Sequence, residues 1–173
     1  MVSVRVARVR WLAVAAVAVS FATGGCGSGK SVTTTTLGAG AAKAEIARAY
    51  GTLFDFTSGT VADKLAVIED GSSLRSALTQ ALSSSLAKNA TGAKVHSVVL
   101  LSAGACREGG VTHPCAKVSY DLLGPKGTPL FSTPSTGYAV APRGRWLVAK
   151  STICSLLSLF YSASGRSGSP PGC

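Results

Sequence analysis

Gly24-Gly25-Cys26-Gly27-Ser28-Gly29-Lys30-Ser31 admits two readings, and each brings a different fold. Taken as G-x-x-x-x-G-K-S, it is the phosphate loop of a nucleotide-binding α/β protein. Taken with what precedes it, it is the end of an export signal. The phosphate loop needs a strand before its glycines and a helix after them. Here Trp11 to Ala22 is an apolar run interrupted only by Ser20, and Arg5, Arg8 and Arg10 precede it with no acidic residue. Ser31-Val32-Thr33-Thr34-Thr35-Thr36 follows, and β-branched side chains lose rotamer freedom in a helix. An apolar strand ending in an aspartate for magnesium is also missing. Val118-Ser119-Tyr120-Asp121 comes nearest, and it alternates like a half-exposed strand. The nucleotide reading is set aside.

A basic start, an apolar run and the small residues Thr23-Gly24-Gly25 make a secretory signal over 1–25. The run is shorter than the roughly 20 residues of a permanent membrane helix. A cysteine directly after the small residues can take a diacylglyceryl group on its thiol, so Cys26 is the expected lipidation site. Thr23 stands where such signals carry Leu, which leaves room for a released fraction beside the anchored one. The membrane is thus the first expected partner, held through lipid on the outer face of the cytoplasmic membrane. Residues 26–40 are mostly Gly, Ser, Thr and Ala, with Cys26, Lys30, Val32 and Leu37, and read as a flexible tether.

Cys106, Cys115, Cys154 and Cys173 remain, an even number, as expected of an oxidising compartment. Four cysteines allow three connectivities. Proximity in sequence favours Cys106–Cys115, stapling a loop between strands, and Cys154–Cys173, pinning the Gly/Ser/Pro-rich tail 161–173.

The formal charge is +10, and without Arg5, Arg8 and Arg10 it is +7. The basic residues are scattered singly, among them Lys64, Arg75, Lys88, Lys94, Lys117 and Lys126, with no basic run interleaved with aromatics. Nucleic acid is not an expected partner. The charge reads as solubility, with a mild attraction to anionic surfaces.

The folded body is expected over 41–160. Ile46, Tyr50, Leu53 and Phe54 recur at helical spacing within Ala41 to Phe54. Val61, Leu65 and Ile68 mark a short second helix ending near Gly71. Ser72 or Ser73 caps a third with the face Leu74, Leu78, Ala81, Leu82 and Leu86, closed by Asn89 to Gly92. The period then becomes that of strands. Val95 to Leu101 is one, and Ala116, Val118, Tyr120 and Leu122 alternate with polar residues in another. Arg107 to Pro114 reads as a polar loop, and Gly124 to Gly127 as a turn. Pro129 to Ala141 reads as an extended segment interrupted at Pro134, Pro142 to Arg145 as a turn, and Trp146 to Thr152 as a last strand. Helices first and strands after give an α+β class: N-terminal helices packed on a curved antiparallel sheet of about four strands.

Three stretches resemble a known family. They are Lys64-Leu65-Ala66-Val67-Ile68-Glu69-Asp70-Gly71; then Gly137-Tyr138-Ala139-Val140 with Gly144-Arg145-Trp146-Leu147-Val148-Ala149-Lys150; and Cys154-Ser155-Leu156-Leu157 with Pro170-Pro171-Gly172-Cys173. Together they resemble the actinobacterial exported proteins related to the mycobacterial low-molecular-weight secreted antigen. The resemblance covers about 41–173. It implies export, lipidation in many members, and an α+β domain similar to the cone of nuclear transport factor 2. It implies no catalytic residues.

Candidate sites divide as follows. His113-Pro114-Cys115 near Cys106 invites a zinc site, but structural zinc takes about four ligands, and a disulfide beside a surface histidine is the expected state. The same disulfide removes a thiolate nucleophile. Glu69 and Asp70 are adjacent, so they do not face one another on a helix, and are expected to close the second helix. Thr33 to Thr36 are candidates for O-linked sugar, and Asn89-Ala90-Thr91 matches an N-glycosylation acceptor. Tyr138 and Trp146 are expected on neighbouring strands, filling the core or, in the alternative, lining a pocket for an apolar ligand. The expectation is an exported, lipid-anchored envelope protein that is not an enzyme and has no cofactor or metal. Its domain is a binding or structural one. The alternative is a carrier of a small apolar or lipid ligand.

Overall fold

The computed structural model describes residues 38–102, 105–108 and 111–173. The segments expected to be signal and tether, with Cys26 and Thr33 to Thr36, lie outside the described residues up to Leu37.

Helix α1 (Ala39–Phe54) buries Ala42, Ile46, Ala49, Tyr50, Leu53 and Phe54, a single stripe at three- and four-residue spacing. Its C-cap is Asp55, whose carboxylate accepts from the backbone N–H groups of Thr57 and Ser58. Helix α2 (Val61–Leu65) opens on a reciprocal capping box between Thr60 and Asp63. It stops at Leu65, short of the expected end near Gly71. Ile68 instead makes a parallel bridge to Val148, with Val148 N–H donating to Val67 O and Glu69 N–H donating to Val148 O. The segment after α2 is drawn out by sheet hydrogen bonds that no local pattern announces.

A 3-10 turn, Gly71–Leu74, precedes α3 (Arg75–Leu82). Neither Ser72 nor Ser73 caps α3; the Ser73 hydroxyl donates to Asp70 O. The expected third helix is broken at Ser83 and Ser84, and α4 (Ser85–Asn89) restarts with Ser84 accepting from Ala87 N–H at 3.2 Å. Serine side chains compete for backbone partners, and a run of three ends one helix and caps the next.

Four strands form an antiparallel sheet in the order β1 (Gly92–Leu101), β4 (Cys115–Leu123), β5 (Ser135–Val140) and β6 (Leu147–Val148). Two short strands, β2 (Arg107–Glu108) and β3 (Val111–Thr112), pair within the segment expected to be loop. A bulge at His96 shifts the β1–β4 register. One face carries Val118, Tyr120, Leu122 and Ala139 into the core against α1. On the other face the row Leu101, Cys115 and Val140 forms a small second cluster with Cys106 and Ala149.

The largest departure from expectation follows β6. Trp146 to Thr152 is not a strand throughout: β6 covers only Leu147–Val148, and helix α5 runs from Lys150 to Ala163. Ile153, Leu157 and Phe160 are buried and Leu156 packs against the core, at helical spacing. The architecture is therefore α+β with helices on both sides of the strands in sequence, and α5 extends past the expected body end into the segment read as tail.

Candidate functional site

Four aromatic side chains meet between α1 and the sheet. Tyr50 and Phe54 come from α1, Phe56 follows it, and Tyr120 comes from β4. The Phe54 and Tyr120 rings stack at 5.2 Å, and Tyr50 meets Tyr120 edge-on at 4.9 Å. Tyr50 is fully buried, and its hydroxyl donates to Tyr138 O at 3.0 Å. Gly137 makes room for that hydroxyl: a Cβ there would stand 2.6 Å from it and 2.7 Å from Thr152 Cγ2. The space between α1 and the sheet is filled there by side chains.

Trp146 and Tyr138 part company. Trp146 joins the core at 8 % exposure, while Tyr138 is 39 % exposed. Trp146 precedes β6 and is not on a strand. The two do not line a common mouth.

Burial pushes the Tyr120 phenol up to about 12, and raises Tyr50 further with help from the nearby Tyr120. Both stay neutral in the folded state where the unfolded phenol ionises, near pH 10. Their effect on stability is absent below that pH and turns unfavourable as pH rises from about 10 towards 12. Lys64 acts oppositely. Desolvation lowers its pKa against the pull of Asp55 and Asp63, so stability gains as the folded state sheds that proton first. Denaturation profiles at pH 8, 10 and 11.5 are expected to show a loss of about 2–3 kcal/mol at the highest pH. Tyr120→Phe is expected to reduce that loss, and an unchanged loss would assign it elsewhere.

Surface hollows occur among the described residues, and two of them bear on a site. One, of about 180 Å³, lies between α3 and α5, where Tyr161 and Arg166 both donate to Gln80 Oε1 at 3.1 and 2.6 Å. It is smaller than the usual small-molecule pocket of about 300–1,000 Å³. The other, about 380 Å³, lies beside the C-terminus of α1 and has Lys64 at its base. Lys64 is 3 % exposed, and its ammonium donates to the carbonyls of Thr52, Asp55 and Ser58. It also lies 5.7 Å from the Phe56 ring centre. Sequence reading placed Lys64 among scattered surface charges. Only the folding of α2 against the end of α1 reveals it as a buried clamp.

The acidic side chains are similarly committed. Glu45 accepts from Trp146 N–H at 3.2 Å, and Glu69 accepts from Lys150 N–H at 3.1 Å, at the start of α5. Asp70, in a left-handed backbone conformation, pairs with Lys150 Nζ at 2.8 Å, and this holds its carboxyl below the usual range. Thr57 and Ser58 do the same for Asp55, and Thr60 for Asp63. Asp121 meets His96 Nε2 at 2.7 Å. Glu69 and Asp70 thus fix α5, as structural groups, and do not converge on a common point.

Disulfides join Cys106 to Cys115 and Cys154 to Cys173, of the three pairings open to the sequence. The first occupies both sulfurs beside His113, and the second ties the tail to α5, with Pro170 buried. No group of three or more His, Cys, Asp or Glu fit to hold a metal occurs among the described residues. No described helix is long and apolar enough to cross a membrane.

The family model described as Low molecular weight antigen MTB12, C-terminal domain, matches residues 39–164. No curated protein and no solved structure matches the chain.

Proposed function

The chain belongs to the family of the low molecular weight antigen MTB12 C-terminal domain, and from that premise we propose an exported, lipid-anchored cell-envelope protein whose domain acts by binding or structural contact, without catalysis. The observation that carries this reading is a cysteine count. The chain has five cysteines, and two disulfides take four of them. The fifth is Cys26, directly behind the small residues that end the export signal. Paired cysteines belong to oxidising compartments, and a cysteine left over at a signal's end is the one chemistry can use for lipid. Two acyl chains give stable anchoring where a single chain is marginal.

We read the helix-on-sheet arrangement as a cone of the nuclear transport factor 2 type with a filled mouth. Packing of Tyr50, Phe54 and Tyr120 in that mouth favours contact at the surface over the carrier alternative. Stoichiometric lipid extracted from the purified protein would reverse that preference. The carboxylates with lowered acidity each accept from a cap, turn or neighbouring lysine, and we read them as structural groups.

Cys26→Ser is expected to move the protein from the membrane to the soluble fraction, with the mature N-terminal peptide losing its lipid mass. Full membrane retention in that variant would overturn the anchored reading.

A further inference from the structure

Seven acidic residues face seventeen basic ones in the sequence. Every acidic side chain whose surroundings are described accepts a hydrogen bond or ion pair from within the domain. Lys64, Lys150 and Arg166 also have partners within the domain, while Lys43, Arg48, Lys117, Lys126, Arg143 and Arg145 are exposed. Asp63 and Asp70 keep their charges at the surface, so the outward surface carries both signs with a cationic excess.

Its placement is not uniform in meaning. Asp55, just after α1, bridges Thr91, just before β1, so α1 runs back along β1 and starts near the Leu101 end of the sheet. Glu45, in the first half of α1, reaches Trp146 N–H, just past the Pro142–Arg145 turn. The start of the folded domain, Lys43, Arg143 and Arg145 therefore share one end. Arg145 donates to Ala66 O at 3.2 Å and remains exposed. Arg143 sits at φ 59°, in the left-handed region that favours glycine. A bulky side chain held there at a conformational cost, with its charge in solvent, is a group presented outward. The same end carries the last residues of β1, where Leu100 is 40 % and Val99 55 % exposed.

We propose that this end, through Lys43, Arg143 and Arg145, docks the domain onto the anionic lipid headgroups of the membrane. The inference rests on the lipid-anchored reading, because the anchor supplies the proximity. About a dozen residues separate Cys26 from α1, and on the tether reading a flexible chain of that length spans about 20 Å. Basic groups near an anionic surface each contribute about fivefold in partition, with a range set by a Debye length of about 8 Å. Three such groups give a measurable partition at low salt on their own, and the anchor's proximity raises the docked fraction further. The docked domain turns its Lys126 end outward.

Lys126 supplies an internal control. It occupies the same Pro-basic-Gly turn geometry at φ 63°, at the opposite end of the sheet. The test uses the full chain carrying Cys26→Ser, exported and free of lipid, sedimented with vesicles. Vesicles of phosphatidylglycerol in phosphatidylcholine are expected to bind it at low salt, and phosphatidylcholine alone is not. Combining Lys43→Ala, Arg143→Gly and Arg145→Gln is expected to lower that partition at least tenfold, and Lys126→Ala by less than twofold. Arg143→Gly suits the left-handed turn, so charge is removed without straining the fold, and an unchanged melting temperature verifies this. Equal losses for Lys126→Ala and the triple variant, or no preference for anionic vesicles, would overturn the proposal. Since the assayed protein has no lipid, a finding that Cys26 is never acylated in cells would overturn the anchored reading without altering this result.

Discussion

Gly71→Ala is expected to destabilise the domain by about 3 kcal/mol or more, the upper range for forcing an extra carbon into packed structure. A Cβ at Gly71 would stand 2.1 Å from Leu65 O, 2.9 Å from Leu65 C and 3.1 Å from Leu65 Cα. These are backbone atoms at the end of α2, so no rotamer change relieves the clash. Gly71 does not need a left-handed conformation; what it needs is the absence of a side chain. Leu65 O also accepts from Ile68 N–H, and Gly71 N–H donates to Ile68 O. Displacing the turn therefore disturbs Glu69, which reaches Val148 O and the first N–H of α5, and Asp70, which holds Lys150. The loss should appear in urea denaturation as a lower midpoint. A cost under about 1 kcal/mol would show that α2 and the turn can separate freely, contrary to the close approach seen here.

The same turn shows where sequence reading succeeds and where it stops. Helix α1 was legible because its buried residues form one stripe and Asp55 ends it locally. The strand Ala116 to Leu122 was legible because every second residue is buried. Both disulfides join the cysteines nearest in sequence, so proximity alone selected them. Helix α5 was missed although Ile153, Leu156, Leu157 and Phe160 repeat at helical spacing. The apolar pattern of Trp146 and Val148 led the strand reading through Thr152. The true start signal is the Glu69 carboxylate on Lys150 N–H, which comes from a distant segment. Trp146 and Tyr138 were left between core and pocket because the face each takes is set by the Pro142–Gly144 turn between them. Charge behaved in the same manner. The count of basic residues was readable at once, but the pairing of the acidic ones with particular caps, turns and distant segments needed the folded geometry.

Lys64→Met is expected to cost about 2–4 kcal/mol, the range for leaving buried polar groups without their charged partner. The substitution keeps length and apolar packing beside Phe56, so the loss isolates the ammonium. That group reaches three carbonyls, those of Thr52, Asp55 and Ser58, at the frayed end of α1. A helix C-terminus presents carbonyls without partners and a partial negative charge, and a cation placed there answers both. Methionine answers neither, and at 3 % exposure water has little access to replace the amine. The neighbouring acidic caps make the site more demanding: Asp55 and Asp63 stay ionised near neutral pH, and removing Lys64 leaves their charges without the cation between them. Lys88→Met and Lys94→Met, at exposed positions, are expected to stay within about 0.5 kcal/mol of the parent. Should Lys64→Met behave like those two in equilibrium denaturation, the three carbonyls must find water or a new partner, and the clamp would have no energetic weight. The larger loss would identify Lys64 as the residue that closes α1 onto α2.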